Sequence, residues 1–335
     1  MSGPTLGTAS WRIRTVYDAD ADKRAGGRFS AQVRLLAATW QYWVEDPSAT
    51  PLEIVCVGGE VPQVVRKLTS FGARLLVSAR PPAARVGGTP NKLAGLLISD
   101  DDVPVLLIDN DCVFTGTLML PPGAPRVDAM ASIAGVSEVT PEQWEVIRQA
   151  VDAQPRQQEW IPLVEECAAI SQQRQARMST NLYLNSGVVF IKQPQAFGVR
   201  WDRWITRIAS VFEQHPLRSA AVCNEDQVGF ALAVSEAEAF GVMPVEWNYR
   251  PPCFWHGRAK AESIRIVHMT GMRRYSMSAP LALGEMINHF WEDRVLRPSG
   301  PAEGLEMSRY ARDIAESVRS LLLDSVAAFL PEEMS

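Results

Sequence analysis

Hydrophobic positions along this chain fall into short blocks that alternate between two periods. Four blocks have the length of strands: Trp11 to Tyr17 (WRIRTVY), 52–59 (LEIVCVGG), 73–79 (ARLLVSA) and 103–108 (VPVLLI). The run Val105, Leu106, Leu107, Ile108 is unbroken, the pattern of a strand buried on both faces. Between the blocks, apolar residues recur at helical spacing. Val33, Leu36, Ala37 and Trp40 follow Ser30, a good N-cap; residues 62–72 are opened by Pro62 and closed by Gly72; and NKLAGLLI forms a short helix carrying Lys92. DADADKRAGGRF, after the first strand, reads as a polar loop. Such alternation predicts an α/β fold, a mostly parallel central sheet flanked by helices and joined by right-handed crossovers.

The pattern weakens from Pro121 to about residue 178, where helices are predicted at 141–153 and 160–175; this stretch is read as a helical insertion. Residues 181–192 (NLYLNSGVVFIK) return to strand, with an interruption at Asn185, Ser186 and Gly187. An amphipathic helix follows over 194–214, its Trp201 and Trp204 assigned to the core. Asn224, Glu225, Asp226 and Gln227 precede a helical segment, and strands are predicted at 240–249 and 263–268. From about Glu285 the chain is helical, ending in a helix with Ile314, Val318, Leu321, Leu322, Val326 and Phe329 on one face. That face is expected to pack on the domain, with a homodimer contact as the alternative. The organisation expected is a loose N-terminus (1–10), one domain over 11–284 and a C-terminal helical segment over 285–335.

The 335 residues suffice for one large α/β domain. A net charge of −5 without a Lys/Arg run excludes a typical nucleic-acid protein. The five cysteines show no C-x-x-C or zinc spacing, which points to free thiols. MSGPTLGTASW lacks the charged start and apolar core of a secretory signal, and no run reaches the length of a membrane span. A reduced, cytoplasmic setting is therefore expected.

Chemistry concentrates where the central strand stops, at Asp109, Asn110 and Asp111. Ligands of parallel sheets bind beyond the carboxyl ends of strands, and two carboxylates one residue apart suit a hard divalent cation and a phosphate. No G-x-G-x-x-G follows the first strand, so a dinucleotide fold would lack its phosphate loop. Three further features follow in order: N-S-G (185–187), E-D-Q (225–227) and V-H-M-T-G (267–271). A sugar nucleotide gives them a common use. Departure of its diphosphate leaves negative charge that a divalent cation can neutralise, and positive character at the anomeric carbon that a carboxylate or amide oxygen can stabilise. Two Asp and one His make a reasonable Mn²⁺ site, whereas a site for Mg²⁺ would favour oxygen alone.

With these motifs (LLIDND, LYLNSGVVFI, NEDQVGF and IVHMTG) the sequence resembles the nucleotide-diphosphosugar glycosyltransferases of the Rossmann-like GT-A fold, most closely family 8, over about residues 10–275. The resemblance implies that Asp109 and Asp111 bind the metal, Mn²⁺ or Mg²⁺, with His268 as the third protein ligand. It places Asn110, Asn185 and Gly187 around the donor and Asp226 and Gln227 near the anomeric carbon. Lys92 falls where the family carries a basic residue near the donor, and Tyr17 and Asp18 where it meets the nucleobase. Gly271 would admit the diphosphate backbone-close, and Arg273 or Arg274 would replace the family's missing Lys-Pro-Trp as the positive charge on phosphate. The implied partners are a nucleotide-sugar donor, a UDP-sugar, and a soluble acceptor such as a sugar or small natural product, with hexosyl or pentosyl transfer in retaining geometry. Trp247, Asn248 and Tyr249 suit an aromatic acceptor cleft.

A different class also fits part of the pattern. IDNDCVF matches the first motif of haloacid-dehalogenase-type phosphatases, in which Asp109 would be a nucleophile and Asp111 an acid/base. That motif normally opens its domain, whereas three strand–helix units precede it here. A non-catalytic sugar-nucleotide-binding protein and a nucleotidyltransferase are the remaining readings.

Overall fold

The computed structural model describes residues 11–84, 88–98, 103–133, 141–153, 155–156, 183–214, 225–250, 261–269, 283–292 and 309–329. Its centre is a seven-stranded sheet. The strands are β1 (Arg12–Asp18), β2 (Leu52–Val57), β3 (Arg74–Val77), β4 (Val105–Ile108), β6 (Ala129–Ile133), β7 (Leu184–Ile191) and β8 (Phe240–Val242), in the order β3-β2-β1-β4-β7-β6-β8. The β3–β2, β2–β1, β1–β4 and β6–β8 pairs are parallel, and β7 runs antiparallel to both neighbours. The mostly parallel α/β sheet expected from the alternating blocks is therefore present.

Every residue of β2, β4 and β7 is buried, as their apolar runs require. The polar residues of the first two strands neutralise one another across the sheet. Arg14 lies opposite Glu53 in the parallel register. Its Nε donates to Glu53 Oε2 at 2.6 Å and its Nη1 to the Gly95 carbonyl at 3.0 Å. A buried charge is tolerated when it is paired and hydrogen-bonded in this way.

Helices cover both faces. The nine that bear on the argument are α1 (Ala19–Arg24), α2 (Arg28–Trp43), α3 (Gln63–Arg66), α4 (Ala94–Leu97), α5 (Pro141–Val151), α6 (Pro194–Gln214), α7 (Glu225–Ser235), α8 (Leu283–Phe290) and α9 (Arg309–Phe329). On one face α2 packs with α8 and α9 in a single apolar core; on the other α6 and α7 pack with α5. Trp201 and Trp204 are core residues, as expected. The last helix packs on α2 and α8 through Ile314, Val318, Leu322 and Val326, and Trp43 Nε1 donates to Ser325 Oγ at 2.9 Å.

Several expectations need correction. The first loop contains α1: Asp18 caps it by accepting the Ala21 N–H, and its acidic first turn and basic last turn complement the helix dipole. Ser30 is not an N-cap, because α2 starts two residues earlier, after Gly27 at φ +86°. The Asp22 carboxylate accepts the Ser30 N–H instead. Residues 62–72 split into α3 and a 3₁₀ turn before Gly72 at φ +92°. The stretch read as helical insertion supplies β6 to the sheet. N-S-G does not interrupt β7, and the strand expected over 240–249 stops at Val242, since Pro244 has no N–H and a 3₁₀ turn (Val245–Trp247) follows. The helix expected at 160–175 lies outside the described residues.

Candidate active site

A two-stranded ribbon brings the separated motifs together. β4 ends at Ile108, and a tight turn closed by the Cys112 N–H on the Asp109 carbonyl (3.1 Å) leads into β5 (Cys112–Phe114). β5 pairs antiparallel with β9 (Ile266–His268), and Cys112 faces His268. The Met269 N–H donates to the Asp111 carbonyl at 2.8 Å. D-x-D and the late histidine thus become neighbours through backbone pairing, although some 160 residues of chain separate them. β7 completes the arrangement: the Asp109 N–H donates to the Gly187 carbonyl at 2.7 Å.

His268 Nε2 lies 3.3 Å from Asp111 Oδ1 and 3.9 Å from Asp109 Oδ2. Its ring rests against the backbone of Gly187, where a Cβ would stand 2.1 Å from Cε1. Asp111, Cys112 and His268 each offer a ligand atom within 4.8 Å of one another. Burial pushes the Cys112 thiol well up, and Asp111 and Asp109 add to that, so the sulfur is a neutral thiol unless a metal displaces its proton. Asp109 stands outside that group of three, with Oδ2 3.9 Å from His268 Nε2 and Oδ1 paired with Lys92; with it, two carboxylates and an imidazole nitrogen make a hard-to-borderline donor set that fits a divalent cation.

Behind this set lies a buried ionic cluster centred on Lys92, whose Nζ is 3.0 Å from Asp109 Oδ1 and 3.3 Å from Asp226 Oδ2. It also donates to Ser186 through the carbonyl (3.1 Å) and Oγ (3.0 Å). Ser186 Oγ donates to Asp226 Oδ2 at 2.6 Å, and Trp201 Nε1 donates to the Asp226 carbonyl at 2.8 Å. Burial alone would raise the Asp226 carboxyl, but Lys92 and the Ser186 hydroxyl outweigh it and hold it below the usual range. Asp109 goes the other way: burial dominates, Lys92 offsets it only in part, and the neighbouring Asp111 adds repulsion. Burial disfavours the Lys92 ammonium, yet Asp109 and Asp226 together keep its pKa above that of an ordinary amine.

Beside the turn opens a cleft lined by Val16, Asp18, Arg28, Phe29, Thr89, Asn91, Lys92, Asp109 and Asn110, among others. It lies beyond the carboxyl ends of β1 and β4. Asp18 reaches it already heavily hydrogen-bonded, accepting from Arg80 through Nη1 (2.5 Å) and Nη2 (3.0 Å) and from Asn91 Nδ2 (2.7 Å). Tyr17 alternates to the other side: it is fully buried, its hydroxyl donates to Asp22 Oδ2 at 2.7 Å, and burial followed by Asp22 raises its pKa.

The structure therefore brings together Asp109, Asn110, Asp111, Lys92, Asn185, Gly187, Asp226 and His268. Gln227 sits half-buried at the start of α7. Tyr17 is apart from the cleft. Gly271, Arg273 and Arg274 lie outside the described residues. Trp247 and Tyr249 are not an open aromatic face but buried packing; Trp247 Nε1 donates to the Met119 carbonyl. Sequence reasoning passed over Arg28, Phe29, Arg80 and Asn91, which stand in loops and first turns with no motif, and gave Ser186 no role although it names N-S-G.

A family model for a Rhodobacterales glycosyltransferase domain matches residues 27–238, more than half of the chain. No curated protein matches it. Among solved structures, the apo form of mouse xyloside xylosyltransferase 1 is 12% identical, with 79% of this chain and 99% of that one covered and a TM-score of 0.46. Glycosyltransferase GlyE of Streptococcus pneumoniae TIGR4 is 11% identical, with 96% and 64% covered and a TM-score of 0.44. LgtC, a galactosyltransferase in complex with donor and acceptor sugar analogues, is 14% identical, with 92% and 95% covered and a TM-score of 0.40. The chain belongs to the Rhodobacterales glycosyltransferase domain family and is a glycosyltransferase.

Proposed function

We propose that the chain moves a sugar from a nucleotide-diphosphosugar, a UDP-sugar, to an acceptor hydroxyl with retention, in the manner of family 8. One observation carries this reading: the β5–β9 pairing sets Asp111 against His268, and Asp109 Oδ2 lies 3.9 Å from the same imidazole nitrogen, beside the cleft. The three would hold Mn²⁺, with Mg²⁺ as the alternative; when bound, the cation supplies charge neutralisation for the departing diphosphate. The cleft from Asp18 to Asn110 would take the nucleotide, with Asn185 and Gly187 toward the sugar. Lys92 favours the ionised form of both Asp109 and Asp226, and at Asp226 it outweighs burial together with Ser186. Asp226 and Gln227, at the start of one helix, would face the positive anomeric carbon. In retaining transfer the anomeric C–O bond to the diphosphate breaks, the acceptor oxygen bonds to the same face, and the acceptor proton passes to a diphosphate oxygen. Gly271 and Arg273 would complete the phosphate contacts.

The acceptor is proposed to be a sugar or small natural product. Residues 11–284 are proposed as the catalytic domain and 285–335 as a helical segment that stays attached to it. Among the described residues no helix is long and apolar enough to cross a membrane. The phosphatase reading gains no support from the family match or from the position of the D-x-D strand, fourth in order in the sheet.

The test is nucleoside-diphosphate release across a panel of UDP-, GDP- and dTDP-sugars, with and without Mn²⁺, comparing the native chain with Asp111→Ala. The expected result is slow hydrolysis of a UDP-sugar that needs Mn²⁺ and is lost in the variant. Phosphate release from a phosphomonoester, with every sugar nucleotide intact, would overturn the reading.

A further inference from the structure

The imidazole of His268 has a second nitrogen, and the contacts behind it form a directed chain. One group in that chain has a fixed role. The Gly187 backbone N–H can only donate, and it donates to Asn185 Oδ1 at 3.0 Å. Asn185 therefore presents its oxygen, and Asn248 must approach that oxygen with its amide nitrogen, at 2.9 Å. The opposite atom of Asn248, Oδ1, is then the one left to face His268 Nδ1, at 3.2 Å. An amide oxygen only accepts, so the hydrogen lies on Nδ1. All three side chains are buried, with Asn185 6%, Asn248 2% and His268 4% exposed, which leaves water little access to reverse the order. The backbone holds Asn248 from both sides: its N–H donates to the Val245 carbonyl, and the next residue's N–H donates to the Ile266 carbonyl in β9.

We infer that Asn248 is a positioning residue for the cation site: by accepting the Nδ1 hydrogen of His268 it assigns the lone pair of the neutral, metal-binding ring to Nε2, the nitrogen that lies nearest Asp111 and Asp109. The inference rests on the reading that His268 is a metal ligand. Histidines that ligate metals donate their other N–H to an oxygen in this way, and loss of that partner weakens the metal by about 10- to 100-fold. The neighbouring Asn185 extends the control to β7, so the strand that fixes the Asp109 turn also fixes the tautomer of the histidine opposite it.

The experiment is Mn²⁺ titration of the full chain without donor or acceptor, with free Mn²⁺ read by electron paramagnetic resonance. Native protein is compared with Asn248→Ala, Asn248→Asp, Asn248→Leu and His268→Ala. Asn248→Ala is expected to raise the Mn²⁺ Kd by about 10-fold or more, and Asn248→Asp, which keeps an acceptor at Nδ1, to recover most of that loss. Asn248→Leu, which keeps the volume but cannot accept a hydrogen bond, is expected to lose affinity as Asn248→Ala does, so recovery by Asp and not by Leu separates acceptance at Nδ1 from the filling of space. Native Mn²⁺ affinity in Asn248→Ala, with binding weakened in His268→Ala, would overturn the positioning role and leave the metal reading standing. Native affinity in His268→Ala would overturn the metal reading and this inference with it. A second measurement needs no variant at position 248. In ¹⁵N-histidine-labelled native protein loaded with Zn²⁺, the His268 ring, one of four histidines and identified by its loss in His268→Ala, is expected to carry its hydrogen on Nδ1. Protonation at Nε2 would overturn the inference.

Discussion

Gly187 is the residue on which the site's geometry turns, because the His268 ring occupies the place of its side chain. Gly187→Ala puts a methyl 2.1 Å from Cε1, closer than any real carbon contact, so the ring must swing away from Asp109 and Asp111. Strand β7 accepts alanine, so the fold is expected to survive with its circular dichroism unchanged while Mn²⁺ affinity falls at least about 10-fold; unchanged affinity by calorimetry would show that the ring tolerates the displacement. Lys92 and Asp226 make the second residue-scale case. Replacing one partner of a buried pair strands the other, at a cost of about 3 kcal/mol or more. Lys92→Met should therefore lower the urea midpoint sharply. The pH dependence follows from the directions of the shifts. Asp226 is depressed in the fold, so its share of stability is present above the ordinary carboxylate range, about pH 4, and is lost as pH falls through its lowered pKa. The Lys92 share is present below about pH 10.4 and is lost as pH rises through its raised value. The stability gap between native protein and Asp226→Asn should be flat from about pH 5 to 9 and close at acid pH; a gap that widens in acid would contradict the ion pairing.

At the scale of elements, β5 is held between β9 and α2. Thr39 Oγ1 accepts the Phe114 N–H at 3.1 Å while donating to the carbonyls of the preceding helical turn. Thr39→Val keeps the shape and removes the acceptor, leaving a buried N–H unsatisfied. We expect a loss of about 1–3 kcal/mol by urea unfolding, together with weaker Mn²⁺ binding, because β5 carries Asp111 into place. A stability loss with metal affinity intact would show that β9 alone positions the turn. The strands themselves were readable from sequence, since unbroken apolar runs such as VLLI and GVVFI have only one use in an α/β chain. The site was readable in part, because D-N-D, N-S-G and V-H each stand at a strand end, where chemistry sits in such folds. What could not be read depended on three dimensions. Nothing local tells that Arg80 reaches Asp18 across 62 residues, or that Asn248 lies behind His268. Ser30 was misjudged because Asp22, eight residues earlier, takes the capping role through space. Tyr17 was misjudged because strand alternation, which the sequence contains, sends Asp18 to the cleft and the tyrosine into the core.

For the whole molecule, the open matter is what the last helix does. Its apolar face is not left bare: Ile314, Ala315, Val318, Leu322 and Val326 are buried against α2 and α8, and Trp43 in α2 is tied to Ser325. The same α2 carries Arg28 and Phe29 into the cleft at its other end and Thr39 to β5 in between. Removing residues 309–335 would expose that face of α2, and burial of each such side chain is worth about 1.5–3 kcal/mol, a sum comparable to the whole stability of a domain. The truncated chain is therefore expected to lose cooperative unfolding or to aggregate, and to lose Mn²⁺ binding with it. Were the helix instead a detachable dimer contact, truncation would leave a folded, metal-binding monomer where the full chain sediments as a dimer. Analytical ultracentrifugation of both chains, alongside thermal unfolding, distinguishes the outcomes. A stable truncated monomer would separate the C-terminal helix from the rest of the domain, and an unstable one would make it part of the support on which the cleft beside the D-x-D turn is built.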